Sequence, residues 1–220
     1  MAKQAYVYSG TDWVPLASEV TNLSNYYTKG EIDILDTPVG LKKIVPSSVA
    51  VGSGTGSASA SGTVTFSGAS SVSLNGVFST TYNSYQIIVS TIYGTTATDI
   101  RMRLRVSGSD NSSSIYNYQR LEVNNTTVSG ARTLNQTSWA GGEFTNSATV
   151  ISSGEMFLSN PFNTVHTTGQ SSFVSLANGV DSGRIDRWDW VHKSNDSFTG
   201  FTIFGGAGNI TGTITIYGFN

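Results

Sequence analysis

The sequence predicts an all-β protein, with an antiparallel β-sandwich of jelly-roll kind over residues 63–220 and a small hairpin-plus-short-helix segment ahead of it. Three observations predict this. Charged residues are only 12% of the 220, while Gly, Ser, Thr and Asn together make up roughly 45%; a helical bundle or coiled coil would instead need abundant Ala, Glu, Lys and Leu. Hydrophobic residues at 38% and aromatics at 11% supply apolar surface for a core, which argues against intrinsic disorder. Apolar residues then recur with period two, in short runs separated by Gly, Asn and Ser, as in half-buried strands.

The elements follow in order. Residues 1–51 carry three of the four prolines, Pro15, Pro38 and Pro46. Ala5-Tyr-Val-Tyr8 reads as a strand, Ser9-Gly-Thr-Asp12 as a turn, and Trp13-Val-Pro-Leu16 as a return strand that its proline confines to an edge. Thr28-Lys-Gly-Glu31 has the spacing of a capping box, and Ile32 and Leu35 before Pro38 fit a helix of two turns. This segment has too little core to stand alone and reads as a docking or oligomerising module. Residues 52–62, Gly-Ser-Gly-Thr-Gly-Ser-Ala-Ser-Ala-Ser-Gly, read as a flexible linker, with a polar strand edge lying along a partner chain as the alternative.

From residue 63 onward eight or nine strands are expected. They include Thr63–Phe66, Val72–Leu74, Tyr85–Val89, Glu155–Leu158, Ser172–Leu176, Phe198–Phe204 and Ile210–Phe219. Arg101-Met-Arg-Leu-Arg-Val106 is the sharpest alternation, with three arginines on one face and Met102, Leu104 and Val106 on the other. Those arginines read as a solvated face paired to acidic neighbours, or as an intersubunit contact, ahead of an anion groove.

Composition excludes several function classes. The formal net charge is −2 and the isoelectric point about 5.6, so there is no basic field for nucleic acid. Cysteine is absent, which removes disulfides, thiolate zinc sites and cysteine nucleophiles. The N-terminal residues lack the apolar run of a signal peptide, and no stretch has the length of a membrane span. Neither nucleotide-binding glycine motif occurs, and His166 and His192 have no local metal-ligand spacing, so no cofactor and no metal are expected. No Gly-x-Ser-x-Gly elbow is present, and a non-enzymatic role is expected.

Two stretches concentrate candidate recognition residues. In Asp181-Ser-Gly-Arg-Ile-Asp-Arg-Trp-Asp-Trp190, the residues Asp186, Trp188, Asp189 and Trp190 read either as a strand with both tryptophans in the core or as a carbohydrate-contacting patch. Asp186 and Asp189 could also qualify as a glycosidase carboxylate pair. In the loop-like stretch Asn135–Asn146, Trp139 and Glu143 read as an exposed recognition tip or as an aromatic plug at the sandwich end.

Two N-terminal motifs carry a resemblance. Tyr6-Val-Tyr-Ser-Gly-Thr-Asp-Trp-Val-Pro-Leu-Ala17 resembles an aromatic–turn–Thr-x-Trp element of tail-fibre and other virion proteins of tailed bacteriophages, and Asn25-Tyr-Tyr-Thr-Lys-Gly-Glu-Ile-Asp33 resembles a segment recurring in their fibre shafts and attachment regions. The closing Gly212–Gly218 is similar to last strands of phage tip or knob domains. The resemblance implies a homotrimeric virion appendage, assembled in the bacterial cytoplasm. Its N-terminal part, with Tyr6, Tyr8, Trp13, Tyr26 and Tyr27, would dock on other virion proteins of tail, baseplate or capsid, and its head would meet a host-surface glycan or protein. A capsid decoration or head fibre is the alternative, and the chain is short for a main fibre, with no repeated shaft.

Overall fold

The computed structural model describes residues 6–8, 11, 13–15, 40–175 and 183–220. The chain divides into two compact units, Met1–Val39 and Gly40–Asn220. In the first, β1 (Tyr6–Tyr8) and β2 (Trp13–Pro15) form an antiparallel hairpin whose register sets Tyr8 opposite Trp13. The proposed helix over Thr28–Leu35, and Tyr26 and Tyr27, lie outside the described residues.

The second unit contains β3 (Lys42–Ile44), β4 (Ser48–Val51), β5 (Thr55–Ala58), β6 (Thr63–Ala69), β7 (Val72–Asn75), β8 (Ser84–Gly94), β9 (Thr98–Val106), β10 (Ser109–Asp110) and β11 (Tyr116–Asn124). It continues through β12 (Thr127–Gln136), β13 (Trp139–Phe144), β14 (Ser152–Ser159), β15 (Thr168–Ser175), β16 (Arg184–His192), β17 (Gly200–Gly205) and β18 (Ile210–Phe219). One sheet has six strands in the order β10-β9-β17-β7-β4, with β13 also paired to β9. The other has ten, in the order β12-β11-β16-β15-β14-β8-β18-β6-β5, with β3 paired to β18. Both are antiparallel and pack face to face as a sandwich, the fold class that composition and period-two patterning predict.

Two expectations are corrected. Residues 52–62 are not a linker between domains: Thr55–Ala58 pairs with β6, so this polar segment is an edge strand of its own chain's sheet. Small residues are required there by contact. Gly54 sits at φ +71 with the carbonyl of Ser67 2.2 Å from where a Cβ would lie, and a Cβ on Gly56 would meet Val51 at 2.6 Å. The boundary at residue 51 also moves, because β3 and β4 belong to the sandwich and the division falls after Val39.

The strand count beyond residue 63 is also higher than expected, since β11, β12 and β13 carry little alternation of apolar residues. On β12 almost every position is exposed, on both faces, so there was no buried set to reveal a period.

The core lies between the sheets. Inward residues of β8, β9, β16, β17 and β18 fill it, and include Ile87, Val89, Met102, Leu104, Trp190, Ile203, Ile214 and Ile216. β13 runs along one sheet and packs against β15 and β16 of the other. Its register breaks between Ala140 and Glu143, at Gly141-Gly142. A Cβ on Gly142, which sits at φ +140, would lie 2.3 Å from the Phe173 ring, and one on Gly141 would lie 2.9 Å from Trp190. The bulge thus depends on both glycines.

Gly142→Ala is therefore expected to destabilise the sandwich by more than the ~1 kcal/mol typical of a backbone-only substitution, and Trp190→Ala by about 3–5 kcal/mol. Urea unfolding of the full chain measures both; unchanged midpoints would contradict this packing.

Candidate functional site

Strand β16 decides where most of the candidate residues lie. Its inward positions are Arg184, Asp186, Trp188, Trp190 and His192, all buried; its outward positions are Ile185, Arg187, Asp189 and Val191, all exposed. Asp186 and Asp189 thus sit on opposite faces of the sheet and form no carboxylate pair of the kind a glycosidase uses. Trp188 and Trp190 share one face, as alternation requires, and that face is the core.

Trp139 is buried as well. Its ring stacks on Trp190 at 5.2 Å between centroids and 7° between planes. The indole of Trp190 donates to the carbonyl of Ala140 at 2.7 Å, and that of Trp139 donates to the carbonyl of Val191 at 3.3 Å. Tyr116, His192 and Phe198 close around this pair. The reading of Trp139, Trp188 and Trp190 as surface recognition residues is accordingly corrected. A large apolar ring with one hydrogen-bonding edge fits a core that offers a backbone carbonyl.

Asp186 and Glu143 belong to an ion network at the end of the sandwich. Arg184 donates from Nε to Asp186 Oδ1 at 3.0 Å and from Nη1 to Glu143 Oε2 at 2.6 Å, and its Nη2 lies 3.1 Å from Glu122 Oε2. Arg120 lies 2.8 Å from the same Glu122 oxygen, with its guanidinium over the Trp188 ring. Three carboxylates thus share two guanidiniums. Burial pushes the carboxyl groups of Glu143 and Asp186 above their ordinary range, against the pull of Arg184. Asp186 Oδ2, Arg120 Nε, Asn124 Oδ1 and Trp188 Nε1 are buried without a protein partner. The network joins β11, β13 and β16, and losing Arg184 would leave buried carboxylates uncompensated.

His192, Ser194 and Asp196 also meet. The Ser194 hydroxyl lies 3.0 Å from His192 Nδ1 and donates to Asp196 Oδ2 at 2.7 Å. The order differs from a nucleophilic triad, because serine sits between histidine and aspartate, while His192 Nε2 is buried without a partner among aromatic rings. Burial lowers the His192 pKa to about 4.

The arginine stripe of β9 lies on the outer face of the six-stranded sheet and pairs to acidic neighbours as expected, but it is not wholly solvated: Arg105 is buried and also donates to Asn75, Ser73 and Thr202. Arg101 meets Asp99 at 2.9 Å, and Asp110 takes both Arg103, at 4.0 Å, and Arg105. Among the described residues no group of metal-ligating side chains converges, and no helix is long and apolar enough to cross a membrane.

An accessible groove of about 320 Å³ lies on the outer face of the ten-stranded sheet, where β12, β11 and β16 lie side by side; others of similar size lie along β14 and β15. Asn117, Gln119, Arg132, Leu134, Asp189 and Val191 line the first. Cross-strand register builds it: Gln119 stands opposite Arg132 on one side and Asp189 on the other, and Asn117 stands opposite Val191 in the next row. Among the described residues, Asp189 alone of those proposed from sequence faces this groove as an exposed side chain. Asn117, Gln119 and Arg132 carried no sequence signal, because only the pairing of three distant strands brings them together. No family model, curated protein or solved structure matches this chain.

Titration separates His192 from the carboxylates. Between about pH 4 and 6.5 the unfolded chain binds a proton at His192 that the folded chain does not, so this group's effect is a loss of stability as pH falls through that window. The raised Glu143 and Asp186 work oppositely: their contribution is full below the ordinary carboxylate range and fades as pH rises through their folded values. His192→Phe is expected to remove about 2–3 kcal/mol of the acid-side loss. Denaturant midpoints from pH 7 to 4 test it, and an unchanged slope would show that His192 is not the buried neutral base.

Proposed function

We propose that this protein is a structural appendage of a tailed-phage virion, a short homotrimeric fibre or knob. Its N-terminal unit docks on the particle and its sandwich meets the host surface. The observation that carries the reading is the division of labour in the chain. A short N-terminal unit bearing the Tyr6–Tyr8 and Trp13–Pro15 hairpin precedes a sandwich whose tryptophans and ion network are internal and whose polar groove is external.

A receptor-binding head benefits from this arrangement. Recognition groups held on strands are positioned more rigidly than on loops, and three copies on one axis turn a weak contact per head into firm attachment. Stability comes from burial rather than disulfides, which suits assembly in a reducing cytoplasm. The groove's amides, guanidinium and carboxylate match the hydroxyl-rich surface of a glycan, with Leu134 and Val191 offering apolar contact to a sugar's C–H face.

Gold-labelled antibody against the full chain, viewed on virions of the source phage, is expected to mark the tail tip or baseplate, and the fluorescent full-length protein is expected to decorate host cells. Label over the capsid would favour a head-fibre role, and no label on virions would overturn the reading.

A further inference from the structure

The groove on β12, β11 and β16 is polar in a directional way. Arg132 stands at its β12 side and Asp189 at its β16 side, with Gln119 between them in the same cross-strand row. At the usual strand spacing the two charged positions are about 10 Å apart. They are not equivalent. Asp189 has a counter-ion, Arg187 Nη2 at 3.5 Å, whereas Arg132 is exposed and has no carboxylate partner among the described residues. Lys193, just past β16, adds a second cation at this end; it donates to Asn135 Oδ1.

The free guanidinium distinguishes this face from the rest of the molecule. The arginines of β9 are all matched by Asp99 and Asp110, and Arg120 and Arg184 are matched by buried carboxylates. Arg132 has been left a planar, bidentate donor pointing at solvent beside two side-chain amides. Next to it Leu134 and Val191, 42% and 39% exposed, form an apolar strip.

We propose that the groove binds an acidic saccharide, one whose sugar ring bears a carboxylate. This rests on the reading of the sandwich as a host-surface recognition head. The carboxylate lies on the Arg132 guanidinium, ring hydroxyls donate to Asp189 and exchange hydrogen bonds with Gln119 and Asn117, and the ring's apolar face covers Leu134 and Val191. The Arg–amide–Asp order sets the direction in which the sugar lies: reversing it would bring carboxylate against carboxylate. A neutral saccharide would leave Arg132 unpartnered and bind less tightly.

The test is amide NMR titration of the ¹⁵N-labelled full chain with trigalacturonate, a glucuronate-containing oligosaccharide, a sialyl-oligosaccharide, maltotriose and tetraglutamate. The expected result is a set of shifts confined to β11, β12 and β16 with at least one acidic saccharide. Affinity should fall with added salt, drop about tenfold or more in Arg132→Ala, and be partly kept in Arg132→Lys. Arg132 is exposed and has no partner among the described residues, so these variants keep the fold, which the spectra themselves report. Equal binding of maltotriose, or indifference to Arg132→Ala, overturns the acidic class but leaves a saccharide head in place. Equal binding of tetraglutamate overturns the saccharide class. No shift in the groove with any acidic saccharide overturns the site; if labelled protein still decorates cells, the appendage reading survives without it.

Discussion

The structure depends on how closely β13 approaches the opposite sheet. β13 pairs with β9 in the six-stranded sheet, yet packs against β15 and β16 of the ten-stranded one. Gly141 and Gly142 make that approach possible by leaving room for Trp190 and Phe173. Everything around the site follows from it. Trp139, at the start of β13, reaches far enough to stack on Trp190, and Glu143, at its end, reaches Arg184. A few residues of one strand therefore tie the sheets together through an aromatic stack at one point and an ion network at another.

That arrangement also sorts the chemistry by face. The charged and aromatic run at the start of β16 splits by alternation: arginine, aspartate, two tryptophans and histidine go inward, and Ile185, Arg187, Asp189 and Val191 go outward. The inward set is spent on stability. Its carboxylate, Asp186, is tied to Arg184 and its indoles to a backbone carbonyl or an aromatic neighbour. Recognition falls to the outward set, with what the register of β11 and β12 adds to it. The exposure of β12 on both faces leaves its side chains open to a ligand, while its pairing to β11 holds their spacing.

How much of this was legible in the sequence differs by element. The alternation at Arg101–Leu104 and the shared face of Trp188 and Trp190 could be read directly, because Met102, Leu104 and both tryptophans are buried on one side of their strands; Val106, exposed at the strand's end, and Arg105, buried, depart from that pattern. The hairpin Tyr6–Pro15 was legible from its turn residues. The sequence does not separate β5 from a linker, because Gly and Ser look alike in a linker and in a strand pressed against its neighbours; the difference lies in Val51 and Ser67, which the local sequence does not reveal. The surroundings of Trp139 look loop-like for a related reason, since Gly141-Gly142 carries the same signal whether it turns the chain or admits a facing ring. The groove was illegible altogether. Arg132, Gln119 and Asp189 become neighbours only through two strand registers, and no residue of the three is unusual by itself.

The central claim is that β13 is an interior strand binding the sheets together rather than a recognition loop. Amide hydrogen exchange of the full chain, followed by mass spectrometry, tests it directly. Peptides spanning Trp139–Phe144 are expected to exchange as slowly as those of β8 and β18, at rates set by global unfolding. Exchange of that segment within seconds, alongside protected β8 and β18, would contradict the account: Trp139 would then be free at the surface, and the aromatic stack and ion network would not hold the sandwich.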